Sequence, residues 1–250
     1  MKKAFRILKF KKDKPIFEVQ NVSKSFDGRP VLKKLSLKVF PGEIVGVLGP
    51  NGCGKTTLFS MCIGEQSVDN GKILLNSKPI DQIPIHLRAE EGLGYLPQQR
   101  SVFNMSVYDN VLGIAQISIK GVENQKEITE KLLDEFNLQH LRSLNANVLS
   151  GGELRRLMMA RVMINNPKVV LLDEPYAALD PLIIQDISKY ILSIQAKKTS
   201  IIVSDHNVKN LFDIVDRAYV LGSQGIIAEG TPSELLKSSK AVESYFGSNF

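Results

Sequence analysis

Short continuous runs of apolar residues alternate with helical patterns along most of the chain. The runs at 44–48 (IVGVL), 168–172 (KVVLL) and 200–204 (SIIVS) are each followed by loop residues and then by a helical pattern. Runs of this length are typical of central strands that are buried on both faces of a parallel sheet. The pattern therefore predicts an α/β core. One predicted helix shows its apolar stripe at Ile183, Ile184, Ile187, Ile191 and Ile194.

Two regions depart from this alternation. Residues 16–22 and 31–39 have strand patterns on either side of a turn at Asp27-Gly28, ahead of the first central strand. They predict an additional β portion at the N-terminus. Residues from about 100 to 165 contain helical patterns only. This stretch predicts a helical subdomain that is inserted into the α/β core.

The positive charge of the chain is concentrated at one end. The net charge over 250 residues is +6, and residues 1–14 alone carry seven Lys or Arg against one Asp. Because the rest of the chain is neutral, a broad phosphate-binding surface is absent and we expect no nucleic-acid partner. The basic segment is expected to be either a flexible solvated tail or a weak arm on an anionic membrane surface. The second reading depends on the apolar residues Phe5, Ile7, Leu8 and Phe10 among the lysines.

Hydropathy and cysteine content limit the possible location of the protein. No run approaches the ~18 uninterrupted apolar residues of a spanning helix. The N-terminus lacks the long apolar core and small-residue cleavage site of a secretory signal. The two cysteines, Cys53 and Cys62, are too few for a disulfide framework and lack metal-binding spacing. We therefore expect a cytoplasmic protein.

A glycine-rich loop follows the first central strand and precedes a predicted helix at 56–63. Such a loop turns backbone N–H groups toward phosphate oxygens, and the helix N-terminus adds positive potential. Lys55 is expected to contact the β- and γ-phosphates of a nucleotide, and Thr56 to ligate Mg²⁺. The loop matches the pattern GxxxxGK(S/T) with Gly49, Pro50, Asn51, Gly52, Cys53, Gly54, Lys55, Thr56 and Thr57.

A second buried strand, at 169–172, ends in the two carboxylates Asp173 and Glu174. A carboxylate at the end of a buried strand can hold Mg²⁺, and the next one can orient or deprotonate a water that attacks the γ-phosphate. Asp173 suits the metal role and Glu174 the catalytic role. Together with the phosphate loop, the pair predicts a site that hydrolyses a nucleotide.

The sequence LSGGE at 149–153 opens another predicted helix. Ser150 is a natural N-cap, and Gly151 and Gly152 let an anion approach the exposed N–H groups. Following a phosphate loop and preceding the DE strand end, LSGGE resembles the signature of the ATP-binding cassette (ABC) family. The chain resembles an ABC transporter ATPase subunit over residues 16–238. The resemblance implies an α/β fold of the P-loop NTPase, ABC ATPase type, with a mixed/parallel sheet core, an N-terminal antiparallel β portion and an inserted α-helical subdomain.

The resemblance also assigns roles to four single residues. Gln98 matches the residue that joins the Mg²⁺ site to the surface facing the membrane subunits, and we expect it to act both as a metal ligand and in catalysis. His206 matches the switch histidine that contacts the γ-phosphate. Asp180 matches the D-loop, although Asp180-Pro181 is also a good helix start. Phe26 falls where the family places an aromatic ring under the adenine.

In the ABC family two such domains pair head to tail, and each ATP lies between the phosphate loop of one copy and the LSGGE of the other. The resemblance therefore implies ATP and Mg²⁺ as cofactors, and a second copy of the chain and integral membrane subunits as partners. It also implies a peripheral position on the cytoplasmic face of the inner membrane. We divide the chain into a basic extension at 1–15, the ABC ATPase domain at 16–238 and a C-terminal tail at 239–250.

A narrower resemblance concerns the substrate. The strings at 92–98, 106–110, 204–208, 230–234 and 244–250 are similar to those of the ATPase subunits of bacterial lipopolysaccharide export transporters. The ATPases of branched-chain amino-acid importers share several of these strings and stay as the alternative. Soluble ABC ATPases that act on nucleic acid or ribosomes are a further alternative, which the neutral body and the single cassette disfavour.

Overall fold

The computed structural model describes residues 14–238 and 242–246. The basic segment up to residue 13, and the membrane-arm hypothesis with it, lies outside the described residues, as does most of the predicted tail. The strands are β1 (Phe17–Phe26), β2 (Arg29–Val39), β3 (Ile44–Leu48), β4 (Asn70–Leu75), β5 (Lys78–Pro79), β6 (Leu93–Leu96), β7 (Val169–Asp173), β8 (Ser200–Ser204), β9 (Arg217–Leu221) and β10 (Ile226–Gly230). The α-helices are α1 (Lys55–Ile63), α2 (Ile85–Glu90), α3 (Val107–Ser118), α4 (Val122–Glu135), α5 (Gly151–Met163), α6 (Pro181–Ala196), α7 (Val208–Ile214) and α8 (Pro232–Leu235). No helix in this described part is both long and apolar enough to cross a bilayer.

The N-terminal strands form an antiparallel sheet in the order β2-β1-β4-β5. Strands β1 and β2 pair from Phe17 opposite Val39 to Phe26 opposite Arg29. Asp27 and Gly28, with φ of 48° and 74°, make the two-residue turn between them. Residues with positive φ in both turn positions suit the right-handed twist of a hairpin, so pairing continues up to the turn. The first strand therefore extends beyond the predicted end at residue 22.

The second sheet has the order β10-β9-β3-β8-β7-β6, and all of its strands are parallel except β10. Every residue of β3, β7 and β8 is buried. Helices cover one face of this sheet, where they pack with Ile44 and Leu48, and the antiparallel sheet and α1 cover the other, where they pack with Val45 and Val47. Because the carboxyl ends of parallel strands meet at one edge, the loops after β3, β6, β7 and β8 come together there. The sequence-based prediction of the fold class is confirmed.

Helices α3, α4 and α5 fill the stretch between β6 and β7, in agreement with the predicted helical insertion. Val111, Leu133 and Phe136 are fully buried in their shared core. The Phe136 ring stacks on Tyr190 of α6 with centroids 5.4 Å apart, which joins this group to the rest of the domain. The exact domain boundaries stay a prediction.

A buried ion pair connects the two sheets. Arg217 of β9 donates to Glu43 across 2.6 Å, and both side chains are almost completely buried. The Arg217 guanidinium also donates to the Lys38 carbonyl of β2 and to the hydroxyl of Tyr219. Because Glu43 directly precedes β3 and Lys38 lies in β2, the bonds of Arg217 hold the antiparallel sheet against the strand that leads into the phosphate loop.

Candidate active site

The glycine-rich loop connects β3 to α1, as predicted. Gly54 is the N-cap of α1 and has φ +104°, and a Cβ there would lie 2.7 Å from a methyl carbon of Leu32. Only glycine meets both conditions. Gly52 has φ +79°, and nothing lies within 4 Å of where its Cβ would stand. The loop is thus packed on its inner side and open on its outer side, as a phosphate group requires.

Lys55 lies buried across this loop. Its ammonium donates to the Gly49 carbonyl at 2.6 Å and to the Pro50 carbonyl at 3.1 Å. These bonds hold a positive charge at a fixed place inside the turn, where it can meet the phosphates of a nucleotide. Cys53 is buried beneath the loop, and its burial raises the pKa of the thiol. We interpret Cys53 as a packing residue of the loop.

One open cavity of about 660 Å³ lies over the loop. Its size falls within the range of small-molecule sites. All but one of its lining residues were predicted as site residues, and the exception is Val31, which the hairpin brings to the rim. A half-buried apolar residue in an edge hairpin carries no sequence signal for such a role. The lining residues are Phe26, Val31, Asn51, Gly52, Gly54, Lys55, Thr56, Thr57, Gln98, Glu174 and His206.

Glu174, Gln98 and His206 meet on one part of the wall of this cavity. The Gln98 amide donates to Glu174 Oε2 at 2.7 Å, and His206 Nδ1 lies 3.8 Å from the same oxygen. Glu174 has φ 45°, a conformation that costs a residue with a side chain about 1–3 kcal/mol. Its N–H donates to the carbonyl of Ser204 at 3.0 Å, which helps to hold this conformation. This backbone conformation directs the Glu174 carboxylate into the cavity.

Asp173 lies behind Glu174, at the buried end of β7. Ser204, at the end of the neighbouring β8, donates its hydroxyl proton to Asp173 Oδ1 at 2.6 Å. The same hydroxyl oxygen accepts from the Glu174 N–H at 3.2 Å. Burial raises the pKa of Asp173, and the bond from Ser204 opposes that rise. Ser204 was not predicted as a site residue. The sequence feature that could have identified it is its place at the end of a buried strand, next to Asp205.

The loop that carries His206 is held from two sides. The Asp205 carboxylate is buried and accepts from the N–H of Asn207 at 2.8 Å and of Tyr176 at 3.4 Å. Burial raises the pKa of Asp205. On the other side, the Tyr245 hydroxyl donates to the His206 carbonyl at 3.4 Å. The imidazole itself is exposed to the cavity.

The signature segment does not line this cavity. Ser150 is the N-cap of α5 and forms a reciprocal capping box with Glu153. This bonding lowers the pKa of Glu153. Ser150 and Gly152 border a separate small cavity of about 170 Å³ beside α6. Asp180 caps α6 by position, but its side chain makes no capping hydrogen bond and is exposed. Within one chain, the predicted nucleotide-binding residues therefore form two separate surfaces.

Arginines connect the segment around Gln98 to the signature helix. Arg155 of α5 is buried and donates to the Pro97 carbonyl at 3.2 Å. Arg161, two turns further along α5, donates to the Ser101 carbonyl. In the opposite direction, Arg100 donates to the Ala146 carbonyl at 2.7 Å. These three bonds hold the segment around Gln98 against α5 and the loop before it.

These residues suit a nucleotide with a divalent cation. Thr56 and Gln98 offer neutral oxygens at the cavity, and Asp173 supplies a carboxylate behind it. Among the described residues, no group of three or more His, Cys, Asp or Glu can hold a metal ion by itself. A cation at this place would thus need oxygens from the nucleotide phosphates as well. The arrangement of phosphate loop, buried carboxylate and aimed glutamate supports phosphoryl transfer to water.

Comparison with known proteins decides the family. The family model described as "ABC transporter" matches residues 32–177, more than half of the chain. The chain belongs to the ABC transporter ATPase family. It is 40% identical to the lipopolysaccharide export system ATP-binding protein LptB of Haemophilus influenzae, over 94% of this chain and 98% of that protein. It is 41% identical to the LptB of Escherichia coli strain K12, over 92% of this chain and 97% of that protein.

The fold of the ABC ATPases is equally clear in three dimensions. The chain superposes on a crystal structure of a nucleotide-free ATP-binding cassette from an ABC transporter with a TM-score of 0.84 and 28% identity. The match covers 94% of this chain and 100% of the cassette. An ABC ATPase binds and hydrolyses ATP, and the cavity over the phosphate loop has the size and lining expected of an ATP site.

Proposed function

We propose that this chain is the ATP-hydrolysing subunit of a transporter that exports lipopolysaccharide from the inner membrane. The proposal that the chain hydrolyses ATP rests on the Glu174 carboxylate. A strained backbone conformation directs this carboxylate into the cavity that the phosphate loop lines. The substrate part is supported by the names of the relatives, which span nearly the whole chain.

The hydrolysis is assigned to this chain's residues as follows. Lys55 and the N–H groups of the loop bind the phosphates, and His206 contacts the terminal one. Thr56, Gln98 and Asp173 would hold Mg²⁺, which would neutralise charge on the phosphates. Glu174 positions the attacking water and takes its proton, a role that typically contributes about 10²–10⁴ in rate. Gln98 keeps the Glu174 carboxylate in place through the 2.7 Å bond.

A second copy of the chain completes the site. Ser150 and Gly151 are exposed at the N-terminus of α5, where the helix dipole favours an anion next to Gly152. Because this surface is separate from the cavity within one chain, it would contact the ATP of a partner copy in a head-to-tail dimer. Asp180 is exposed beside it and would lie at the same interface.

The membrane subunits would dock at a cavity of about 220 Å³ between β6 and α5. Arg161 lines it, and the guanidinium Nε is buried without a hydrogen-bond partner in the described chain. The Phe103 ring covers the guanidinium at 4.6 Å, and burial lowers the pKa of Arg161 with no carboxylate opposing that effect. A buried polar atom without a hydrogen-bond partner is costly, so we expect a docked segment to supply an acceptor for the Arg161 Nε–H.

Affinity purification from detergent-solubilised membranes tests this proposal. Phe103→Glu would give Arg161 a carboxylate from its own chain and make the rim polar. We expect wild-type chain to retain the membrane subunits together with lipopolysaccharide, and Phe103→Glu to retain about 10-fold less. The matched control is Ile117→Glu, a residue of α3 that is 84% exposed, which should behave like wild type.

Two outcomes contradict the proposal. If the retained subunits belong to an amino-acid importer and carry no lipopolysaccharide, the substrate assignment is wrong. If Phe103→Glu and Ile117→Glu retain the subunits equally well, the docking site is wrong. Docking would place the chain on the cytoplasmic face of the inner membrane.

A further inference from the structure

Lys24 lies behind Phe26, the aromatic residue of the proposed ATP cavity over the phosphate loop. Phe26 is the last residue of β1, lines the cavity and is 41% exposed. Lys24 precedes it by two residues, so both side chains leave the strand on the same face. The Lys24 ammonium lies over the Phe26 ring, 5.5 Å from the centroid. Lys24 does not line the cavity, so the face of the Phe26 ring away from Lys24 remains available to a ligand in the cavity.

Lys24 is held in this place by the chain that follows α1. It is buried, with 7% of its surface exposed. Its ammonium donates to Asp69 at 3.0 Å and to the Ser67 hydroxyl at 3.5 Å. Asp69 also accepts from the N–H of Ser25 at 2.7 Å. These bonds, the one from Lys24 first, lower the pKa of the Asp69 carboxyl.

An exposed phenylalanine at a strand end can rotate about two torsions and loses that freedom when a ligand stacks on it. A cation fixed against one face favours one orientation of the ring, because the ring quadrupole attracts it. Asp69 accepts from both the Ser25 N–H and the Lys24 ammonium, so it fixes the backbone and the cation immediately before Phe26. The result is a ring that is oriented before any base arrives.

We propose that Lys24, held by Asp69, is a positioning residue that fixes Phe26 as a platform for the nucleobase and so sets the affinity for the base rather than for the phosphates. This inference rests on the proposed role of Phe26 at the ATP cavity. It assigns Lys24 no contact with the nucleotide. A change at Lys24 should therefore affect binding only through the ring.

Equilibrium binding of ATP and of tripolyphosphate, each with Mg²⁺, separates base from phosphate recognition in the full chain. For Lys24→Gln we expect the Kd for ATP to rise about 3- to 10-fold. The Kd for tripolyphosphate should change less than about twofold, since Lys55 and the loop are untouched. Lys24→Arg should keep ATP binding close to wild type, because a guanidinium can also stack on the ring. Lys72→Gln, on the exposed surface of the adjacent β4, is the control for loss of one charge.

A double-mutant cycle with Phe26→Ala decides whether the effect passes through the ring. We expect Lys24→Gln to have no further effect on ATP binding in the Phe26→Ala background. A full additional loss in that background, or an equal loss for tripolyphosphate, would overturn the role of Lys24. Unchanged ATP binding by Lys24→Gln would overturn it too. By contrast, failure of wild-type chain to bind ATP would contradict the proposed function itself.

Discussion

Replacement of Ser204 by Ala tests how the two carboxylates of the site are held. Ser204 is fully buried, and its hydroxyl is a donor to Asp173 and an acceptor for the Glu174 N–H. A hydrogen bond to a charged group contributes about 1.5–3 kcal/mol. We therefore expect Ser204→Ala to lower the free energy of unfolding by this amount at neutral pH. For a domain of this size the loss corresponds to a fall in Tm of about 3 to 12 °C.

The loss of stability should depend on pH. Burial already raises the pKa of Asp173, and removal of the Ser204 bond raises it further. A carboxyl with a raised pKa stabilises the folded state least when it is ionised, so stability falls as the pH rises through that pKa. The deficit of Ser204→Ala should thus be largest above the pKa of Asp173 and should shrink as the pH falls through that pKa, because a protonated Asp173 needs no donor.

Ser200→Ala is the matched control for this comparison. Ser200 begins the same strand, is equally buried and also makes two hydrogen bonds, to the Phe40 carbonyl and from the Gly42 N–H. Its partners are neutral, so its deficit should be the same at both pH values. Chemical unfolding of both variants at two pH values is the assay. If the loss of stability in Ser204→Ala varies with pH no more than the loss in Ser200→Ala, the Ser204 hydroxyl does not stabilise the ionised Asp173.

Two further predictions concern the composite site and the buried ion pair. Ser150→Arg should block hydrolysis but not ATP binding, and mixing it with Lys55→Ala should restore partial ATPase activity, because a mixed dimer contains one intact site. Mixed dimers that stay inactive in an ATPase assay would argue against a site shared between copies, unless turnover requires both sites. Arg217→Met should lower the free energy of unfolding by about 3–5 kcal/mol, because Glu43 is then left buried and unpaired. Adding Glu43→Gln should recover part of this loss in urea unfolding, and no recovery would contradict the pairing.

The sequence predicted the central strands well because burial on both faces leaves a continuous apolar run. The strands β3, β7 and β8 lie where the runs at 44–48, 168–172 and 200–204 indicated, to within one residue. The phosphate loop and the pair Asp173-Glu174 could be predicted as well, since the chemistry needs those residue types in that local context.

What the sequence could not provide was the contact between distant segments. Ser204 and Asp173 meet only because β8 pairs beside β7, and the pairing order is not written in either strand. The extension of β1 to residue 26 followed from pairing with β2, which a local pattern ending at residue 22 did not reveal. No local pattern marked Lys24, because its partner Asp69 lies 45 residues away in the loop after α1.

The Glu174→Gln variant tests directly whether Glu174 is the catalytic base of ATP hydrolysis. ATP turnover and the molar mass in solution are measured for the wild-type chain, for Glu174→Gln and for the exposed control Glu90→Gln. We expect Glu174→Gln to lose about 10²–10⁴ in turnover while it still binds ATP, and we expect ATP with Mg²⁺ to trap it as a dimer. Turnover near that of wild type in Glu174→Gln would contradict the assignment of Glu174 as the catalytic base, and with it the proposed mechanism.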